Sequence, residues 1–259
     1  MVFALGPRAR SAQYRLASFE SAGSTNAEAR ARVRDGERGP LWLATAHQTA
    51  GHGRRQRAWI SPPGNLACSV IETIETDQAH AATLGFAAGL ALETALRRVC
   101  GEAASFQLKW PNDVLAGEAK LAGILIEAEQ SPDGLAAVVG MGVNIVVAPD
   151  DTPYPATSLA ALGITADAPA LFAALSDAWA EWFALWDHGR GFAAIRAQWL
   201  TRAAGLGAPL KVRQGERLVE GYFETIDEGG HLVLSRDGQQ TRIAAGDVYF
   251  GAAASAGAA

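Results

Sequence analysis

The stretch from Leu66 to Val147 constrains the fold most. It holds strand-length apolar runs at Leu66–Ile74, Ser105–Trp110, Val114–Leu115, Leu121–Ala128 and Ala136–Val147, with an Ala- and Leu-rich, Pro-free segment, Ala79–Val99, after the first of them. A helix of that length covers one face of a sheet, so the pattern predicts a mixed β-sheet with helices packed on it. Tyr14–Phe19 and Leu41–Ala46 read as two further strands. Between them Ser24-Thr25-Asn26, all good N-cap residues, opens a helix from about Ala27 to Arg34. A Pro-rich connection over 150–169 leads into a helix, Ala170–Trp186, with Leu171, Leu175, Trp179, Trp182 and Trp186 three and four apart, the stripe of a core-facing helix.

From Pro209 the character changes. Leu210–Arg213, Leu218–Asp227, His231–Ser235, Thr241–Ile243 and Val248–Phe250 are short strand-like runs separated by Gly-containing turns, which predicts a small all-β barrel. The expected fold is therefore α+β: a first domain over 1–207, a β module over 208–251, and a low-complexity tail over 252–259 expected to be disordered. With 49% hydrophobic and 19% charged residues the chain is too apolar to be disordered. Its formal net charge of −5 argues against binding nucleic acid through bulk electrostatics, so any anion site has to be local. No apolar run reaches the ~18 residues of a membrane span. Residues 1–20 carry Arg8, Arg10 and Arg15 without a signal-like apolar core, and a cytoplasmic location is expected. Cys68 and Cys100 fit neither a disulfide framework nor a zinc pattern.

Three segments carry chemistry. Gln48–Trp59, continued by Ser61-Pro62-Pro63-Gly64-Asn65, is Gly- and Pro-rich enough to read as a long loop. Within it Gly51 and Gly53 let backbone amides approach an anion, and Arg54, Arg55 and Arg57 supply forked donors suited to a nucleotide triphosphate. The second is Lys109-Trp110-Pro111-Asn112-Asp113 followed by Lys120-Leu121-Ala122-Gly123-Ile124-Leu125-Ile126-Glu127. Only three of the 22 basic residues are Lys, and two of them lie here, where a compact ammonium can do what a planar guanidinium cannot. Asp113 could hold Mg²⁺ together with phosphate oxygens. The third, Gly140-Met141-Gly142-Val143-Asn144, lets a flat ligand lie on the backbone; Asn144 either reads a purine edge or is a satisfied core amide.

Taken in order, Ser24–Asn26, Gln48–Trp59, Ser61–Leu66, Lys109–Asp113, Lys120–Leu125 and Gly140–Asn144 resemble the motifs of the biotin protein ligases. The resemblance implies a class II synthetase-like catalytic domain with a small SH3-like C-terminal β-barrel. It also implies a reaction in which biotin and ATP give biotinyl-5′-adenylate and pyrophosphate, after which a lysine of a carboxylase's biotin carrier domain takes the acyl group. By the same resemblance Ser24, Thr25, Asn26, Gln48, Gly51, His52, Gly53, Arg54, Lys120, Gly123, Leu125, Gly140 and Gly142 bind biotin. Arg54, Arg55, Arg57, Trp59, Lys109, Asn112 and Asn144 bind ATP, with Trp59 beside the adenine. Lys120, Arg54 and Asp113 are catalytic, with Asp113 supporting Mg²⁺. Two positions depart from the family's loop, His52 standing for an Arg and Gln56 for a Gly; an imidazole is a weaker anion partner than a guanidinium. With only 23 residues before Ser24, no helix-turn-helix and no DNA binding are expected, and a homodimer is possible. The alternatives are a lipoate ligase-like acyl-adenylate enzyme and a non-catalytic nucleotide sensor.

Overall fold

The computed structural model describes residues 2–131 and 134–250. The main body contains α1 (Pro7–Ser11), β1 (Arg15–Phe19), α2 (Thr25–Arg34), β2 (Leu41–Thr45), β3 (Gln48–His52), β4 (Ala58–Ser61), β5 (Leu66–Ile74), α3 (Gln78–Ala82) and α4 (Leu84–Cys100). It continues with β6 (Phe106–Lys109), β7 (Asp113–Ala116), β8 (Ala119–Ser131), β9 (Gly134–Val143), α5 (Ala168–Trp186) and α6 (Phe192–Leu200). The C-terminal part contains β10 (Pro209–Gln214), β11 (Arg217–Ile226), β12 (Leu232–Arg236), β13 (Gln239–Ile243) and β14 (Asp247–Phe250).

Seven strands form one mixed sheet in the order β1-β2-β5-β9-β8-β7-β6, parallel only between β1 and β2. Side chains alternate across each strand, so the sheet has two distinct faces. On one, Val70, Ile74, Leu135, Val139 and Met141 join the large core beneath α4 and α5, where Trp42, Phe172 and Trp179 meet edge to face. The Leu171, Leu175, Trp179 and Trp186 stripe is wholly buried there, and Trp182 is partly buried. On the other, α2 lays Ala29 and Val33 over Leu43, Ile71, Ala136 and Val138. Register puts Ala67, Ser69 and Ile71 opposite Gly142, Gly140 and Val138, which in turn lie opposite Gly123, Leu125 and Glu127. Beyond the N-terminus of α2 this face is therefore paved with Gly and small side chains.

The mixed sheet with packed helices matches the expectation, and its details correct it in three places. Gln48–Asn65 is not a continuous loop. β3 and β4 pair as a separate hairpin, through Gln48↔Ser61, Gly51↔Trp59 and His52↔Ala58, with Arg54–Gln56 in a 3₁₀ turn at its tip. The helix expected over Ala79–Val99 is two helices, because Thr83 turns its hydroxyl back to the carbonyl of His80 at 2.6 Å and breaks the run. The strand expected to reach Val147 stops at Val143, because the Asn65 side-chain oxygen takes the amides of Ile145 and Val146, each at 2.9 Å. Helices α1 and α6 are additional.

The C-terminal strands form an antiparallel sheet in the order β13-β12-β11-β10-β14, consistent with an SH3-like module, with β13 and β14 at its edges among the described residues. It meets the main body where Trp110 Nε1 donates to the Gly230 carbonyl at 3.1 Å and Arg196 Nη1 to that of Ile226 at 2.8 Å. The 252–259 tail lies outside the described residues. No helix among the described residues is long and apolar enough to cross a membrane.

Candidate active site

The small-residue face of the sheet, the N-terminus of α2, the β3–β4 hairpin and the C-terminal sheet enclose one cavity. Ser24, Thr25, Asn26, Gln48, His52, Gly53, Arg54, Arg57, Trp59, Lys109, Asn112, Asp113, Lys120, Gly123, Leu125, Gly140 and Gly142 all line it. Three expected site residues do not. Gly51 sits under Gln48, whose Nε2 lies 2.1 Å from where a Cβ would be, so its role is to make room for that amide. Arg55 is exposed and pairs with Asp247 at 3.0 Å from outside the cavity lining. Asn144 is buried; its Nδ2 donates to the Thr157 carbonyl at 3.1 Å and its Oδ1 has no hydrogen-bond partner among the described residues. The cavity contains lining residues absent from the sequence reading: Pro153 and Tyr154 from the Pro-rich connection, and Asp247 and Tyr249 from β14.

One half of the cavity is uncharged. Ser24 caps α2, accepting from Ala27 N at 3.3 Å, which leaves Thr25 and Asn26 in the first turn. Gln48 Oε1 accepts from Thr25 N at 2.8 Å. Ser69, from β5, is 2.8 Å from the Thr25 hydroxyl and 2.6 Å from Asn26 Oδ1. A Cβ on Gly140 would lie 2.1 Å from Asn26 Oδ1, and one on Gly142 2.4 Å from Trp59 Nε1, so these two glycines are what permit the wall. Trp59 lies against Gly142 and Gly123, on the uncharged side.

The other half is cationic. Arg54, from the hairpin tip, donates to Asn112 Oδ1 at 3.2 Å, and Asn112 Nδ2 is itself tied to the Ile124 carbonyl at 2.7 Å. Burial holds the Arg54 guanidinium below its ordinary pKa, with Asp247 and Asp113 working against that. Burial likewise lowers Lys109, whose ammonium lies 5.2 Å from the Phe250 ring. Arg57 is raised by its hydrogen bond to Asp247. Burial works to raise the Asp247 carboxyl, but the bond from Arg57 and the charges of Arg57, Arg55 and Arg54 outweigh it and leave it below the usual range.

Lys120 stands between the halves. Its Nζ is 2.6 Å from Asp113 Oδ1, 5.5 Å from the Trp59 ring and 5.3 Å from that of Tyr154. Asp113 lies at the start of β7, and the Pro153–Thr157 chain is stitched to the start of β8 by Lys120 N to Pro155 O and Thr157 N to Lys120 O. The Lys120 backbone is thus held by the 153–157 connection and its ammonium by Asp113, at the lining of the cavity. Among the described residues no group of three or more His, Cys, Asp or Glu side chains is placed to hold a metal. The lining carboxylates are Asp113 and Asp247, each facing a cation. One or two carboxylates with phosphate oxygens are the usual Mg²⁺ set, so these residues fit an ion carried in by a polyphosphate rather than a resident one.

The Biotin/lipoate A/B protein ligase family profile matches residues 19–144. A biotin--[acetyl-CoA-carboxylase] ligase of Paracoccus denitrificans is 42% identical over 236 residues, covering 88% of this chain and 97% of that one. Its counterpart in Mycobacterium tuberculosis is 34% identical, covering 87% and 85%. Among solved structures, the biotin protein ligase of Aquifex aeolicus in complex with biotin and ATP superposes with a TM-score of 0.77 at 23% identity, covering 92% of this chain and 99% of that one.

Proposed function

The chain belongs to the biotin protein ligase family, and from that premise we propose that it activates biotin with ATP and passes the biotinyl group to a lysine of a carboxylase's biotin carrier domain. The observation that carries this reading is the placing of Lys120 at the border between an uncharged and a cationic half-cavity. The uncharged half suits the ureido ring. Gln48 keeps its amide N–H groups for a carbonyl, Thr25 offers a hydroxyl oxygen, and the Gly123, Gly140 and Gly142 wall with Trp59 accepts the flat bicycle. The cationic half, with Arg54, Arg57 and Lys109, suits the phosphates.

In the first step a biotin carboxylate oxygen attacks the α-phosphorus of ATP, the α–β bridging bond breaks, and pyrophosphate leaves with the electron pair. Two anions have to meet for this, and the Lys120 ammonium offsets their repulsion and the charge that builds on the α-phosphoryl oxygens. Asp113 keeps that ammonium in place at 2.6 Å. Asp113, through the oxygen not paired with Lys120, would be the protein carboxylate for a Mg²⁺ brought in with ATP, which would neutralise phosphate charge. In the second step the neutral acceptor amine attacks the acyl carbon of biotinyl-5′-adenylate, the acyl carbon–oxygen bond breaks so that AMP departs with the electron pair, and the amine's proton passes to solvent. The hairpin tip and the 153–157 connection flank the cavity and keep water from the mixed anhydride. We place the reaction in the cytoplasm, where carboxylase carrier domains are met.

The test is to incubate the protein with ATP, Mg²⁺, biotin and a carboxylase carrier domain and weigh the carrier. The expected result is one biotinyl addition on one lysine; an unmodified carrier that gains a lipoyl group when lipoate replaces biotin would overturn the reading.

A further inference from the structure

Asn26 lines the cavity, yet its hydrogen-bonding capacity is spent inside the protein. Its Nδ2 donates to Glu127 Oε2 at 2.9 Å and over a longer 3.4 Å to the Leu125 carbonyl, and its Oδ1 lies 2.6 Å from the Ser69 hydroxyl. Glu127 stands on β8 on the same face as Gly123 and Leu125, and its other oxygen takes Arg30 Nη1 at 2.9 Å. Arg30 is anchored in turn by Glu129 at 2.7 Å. Residues 26, 69 and 127 come from α2, β5 and β8, so the chain of contacts spans three elements.

Proton counting gives this chain a direction. A carboxylate facing Arg30 only accepts, so it holds the nitrogen of the Asn26 amide toward itself. Asn26 Oδ1 is then turned to Ser69, and an amide oxygen only accepts. Ser69 has one proton and gives it to Asn26. The Thr25 hydroxyl, 2.8 Å from Ser69 Oγ and 3.3 Å from Gln48 Oε1, faces two oxygens with lone pairs to fill and gives its own proton to one of them. What Thr25 shows the cavity is therefore an acceptor. Reversing Asn26 would make Ser69 a donor to Thr25, taking away the nearer acceptor of the Thr25 proton and leaving the long 3.3 Å contact to Gln48 Oε1 in competition with the ligand.

We propose that Glu127 is a positioning residue that sets the hydrogen-bond polarity of the head-group wall, acting through Asn26 and Ser69 so that the Thr25 oxygen accepts from a ring N–H of biotin. This rests on reading the cavity as a biotin site. Glu127 touches no reacting atom; as the shorter of the two acceptors of Asn26 Nδ2, it is the main hold on the amide whose direction Ser69 and Thr25 follow. The head group is remote from the carboxylate that reacts, so loss of this polarity weakens ground-state and transition-state binding alike and raises KM rather than lowering kcat.

The test is steady-state pyrophosphate release by the full chain with Glu127→Gln, Ser69→Ala, Thr25→Val and the two double variants Glu127→Gln/Thr25→Val and Ser69→Ala/Thr25→Val. Glu127→Gln and Ser69→Ala are each expected to raise the KM for biotin about tenfold, the worth of one hydrogen bond, while kcat and the KM for ATP stay within about twofold. On the Thr25→Val background neither is expected to raise it further, because the oxygen they orient is gone. Equal penalties with and without Thr25, a fall in kcat in place of the rise in KM, or an unchanged KM in either single variant would overturn the proposal. Ser69→Ala deletes only one buried oxygen, so it decides the matter if Glu127→Gln does not fold. Parent protein that turns over no biotin would instead mark a failure of the biotin reading itself.

Discussion

Arg57 Nη2 donates a 2.7 Å hydrogen bond to Asp247 Oδ2 across 190 positions of sequence, and Arg55 shares the same oxygen at 3.0 Å. The C-terminal sheet thereby holds the tip of the hairpin that carries the cavity's arginines. An ion pair this accessible is worth no more than about 1 kcal/mol, roughly a fivefold effect on binding. Asp247→Asn is expected to raise the KM for ATP by about threefold to fivefold and leave that for biotin unchanged. Initial rates with each substrate varied check this; an unaltered ATP KM would mean the tip needs no such anchor.

Lys120→Ala is expected to slow pyrophosphate release by about 10²–10³, the usual cost of losing a group that stabilises charge in the transition state. Lys120→Arg is expected to restore little of it, because a planar fork does not fit the niche between Asp113, Trp59 and Tyr154. Both variants should keep a cooperative melting transition. Near-parental turnover in the alanine variant would remove Lys120 from the chemistry.

Glu72 ties stability to pH. Its Oε1 accepts from Tyr14 Oη at 2.7 Å and Trp179 Nε1 at 2.8 Å, wholly within the core. Burial pushes its carboxyl from 4.5 up to about 7, the two donors pulling the other way. Below about pH 4.5 both states are protonated. Between there and about 7 the folded state keeps a proton that the unfolded chain has lost, so stability falls as pH rises through that window, by about 3 kcal/mol. Glu72→Gln keeps an oxygen for both donors and has no proton to lose. Relative to the parent, its melting temperature should gain markedly at about pH 8 and little at about pH 5; an equal difference at both would count against this account.

Gln56 has φ of +59° and follows Arg55 at +56°. Left-handed backbone costs a non-glycine residue roughly 1–2 kcal/mol, partly offset by the greater unfolded-state freedom of Gly. Gln56→Gly, which restores the residue expected from the family's loop, should raise the melting temperature by a few degrees at most and keep activity. Calorimetry checks it; a lower melting temperature would show that the Gln side chain contributes more than its backbone strain costs.

The strands and the sheet were readable because long apolar runs admit few alternatives, and Lys120, Asp113 and the Gly140 and Gly142 wall because they ride on those strands. The hairpin was not, since Gly, Arg and Gln between Gln48 and Trp59 carry no strand period, and its pairing depends on the register Gly51↔Trp59 rather than on propensity. Tyr154 and Asp247 were missed for a different reason. One sits in a Pro-rich connection and the other in a short strand of the C-terminal sheet, and only tertiary packing brings either to Lys120 or Arg57. For Glu127 there was a signal, a carboxylate ending an otherwise apolar strand run, whose partner in α2 the sequence does not reveal.

Because Asp247 and Tyr249 line the same cavity as Ser24 and Thr25, the cavity joins early and late parts of the chain. A ribosome making this protein has to deliver residues up to β14 before the wall can close. The chamber that encloses the acyl adenylate is therefore complete only when the last strand of the C-terminal sheet has been added to the first turn of α2.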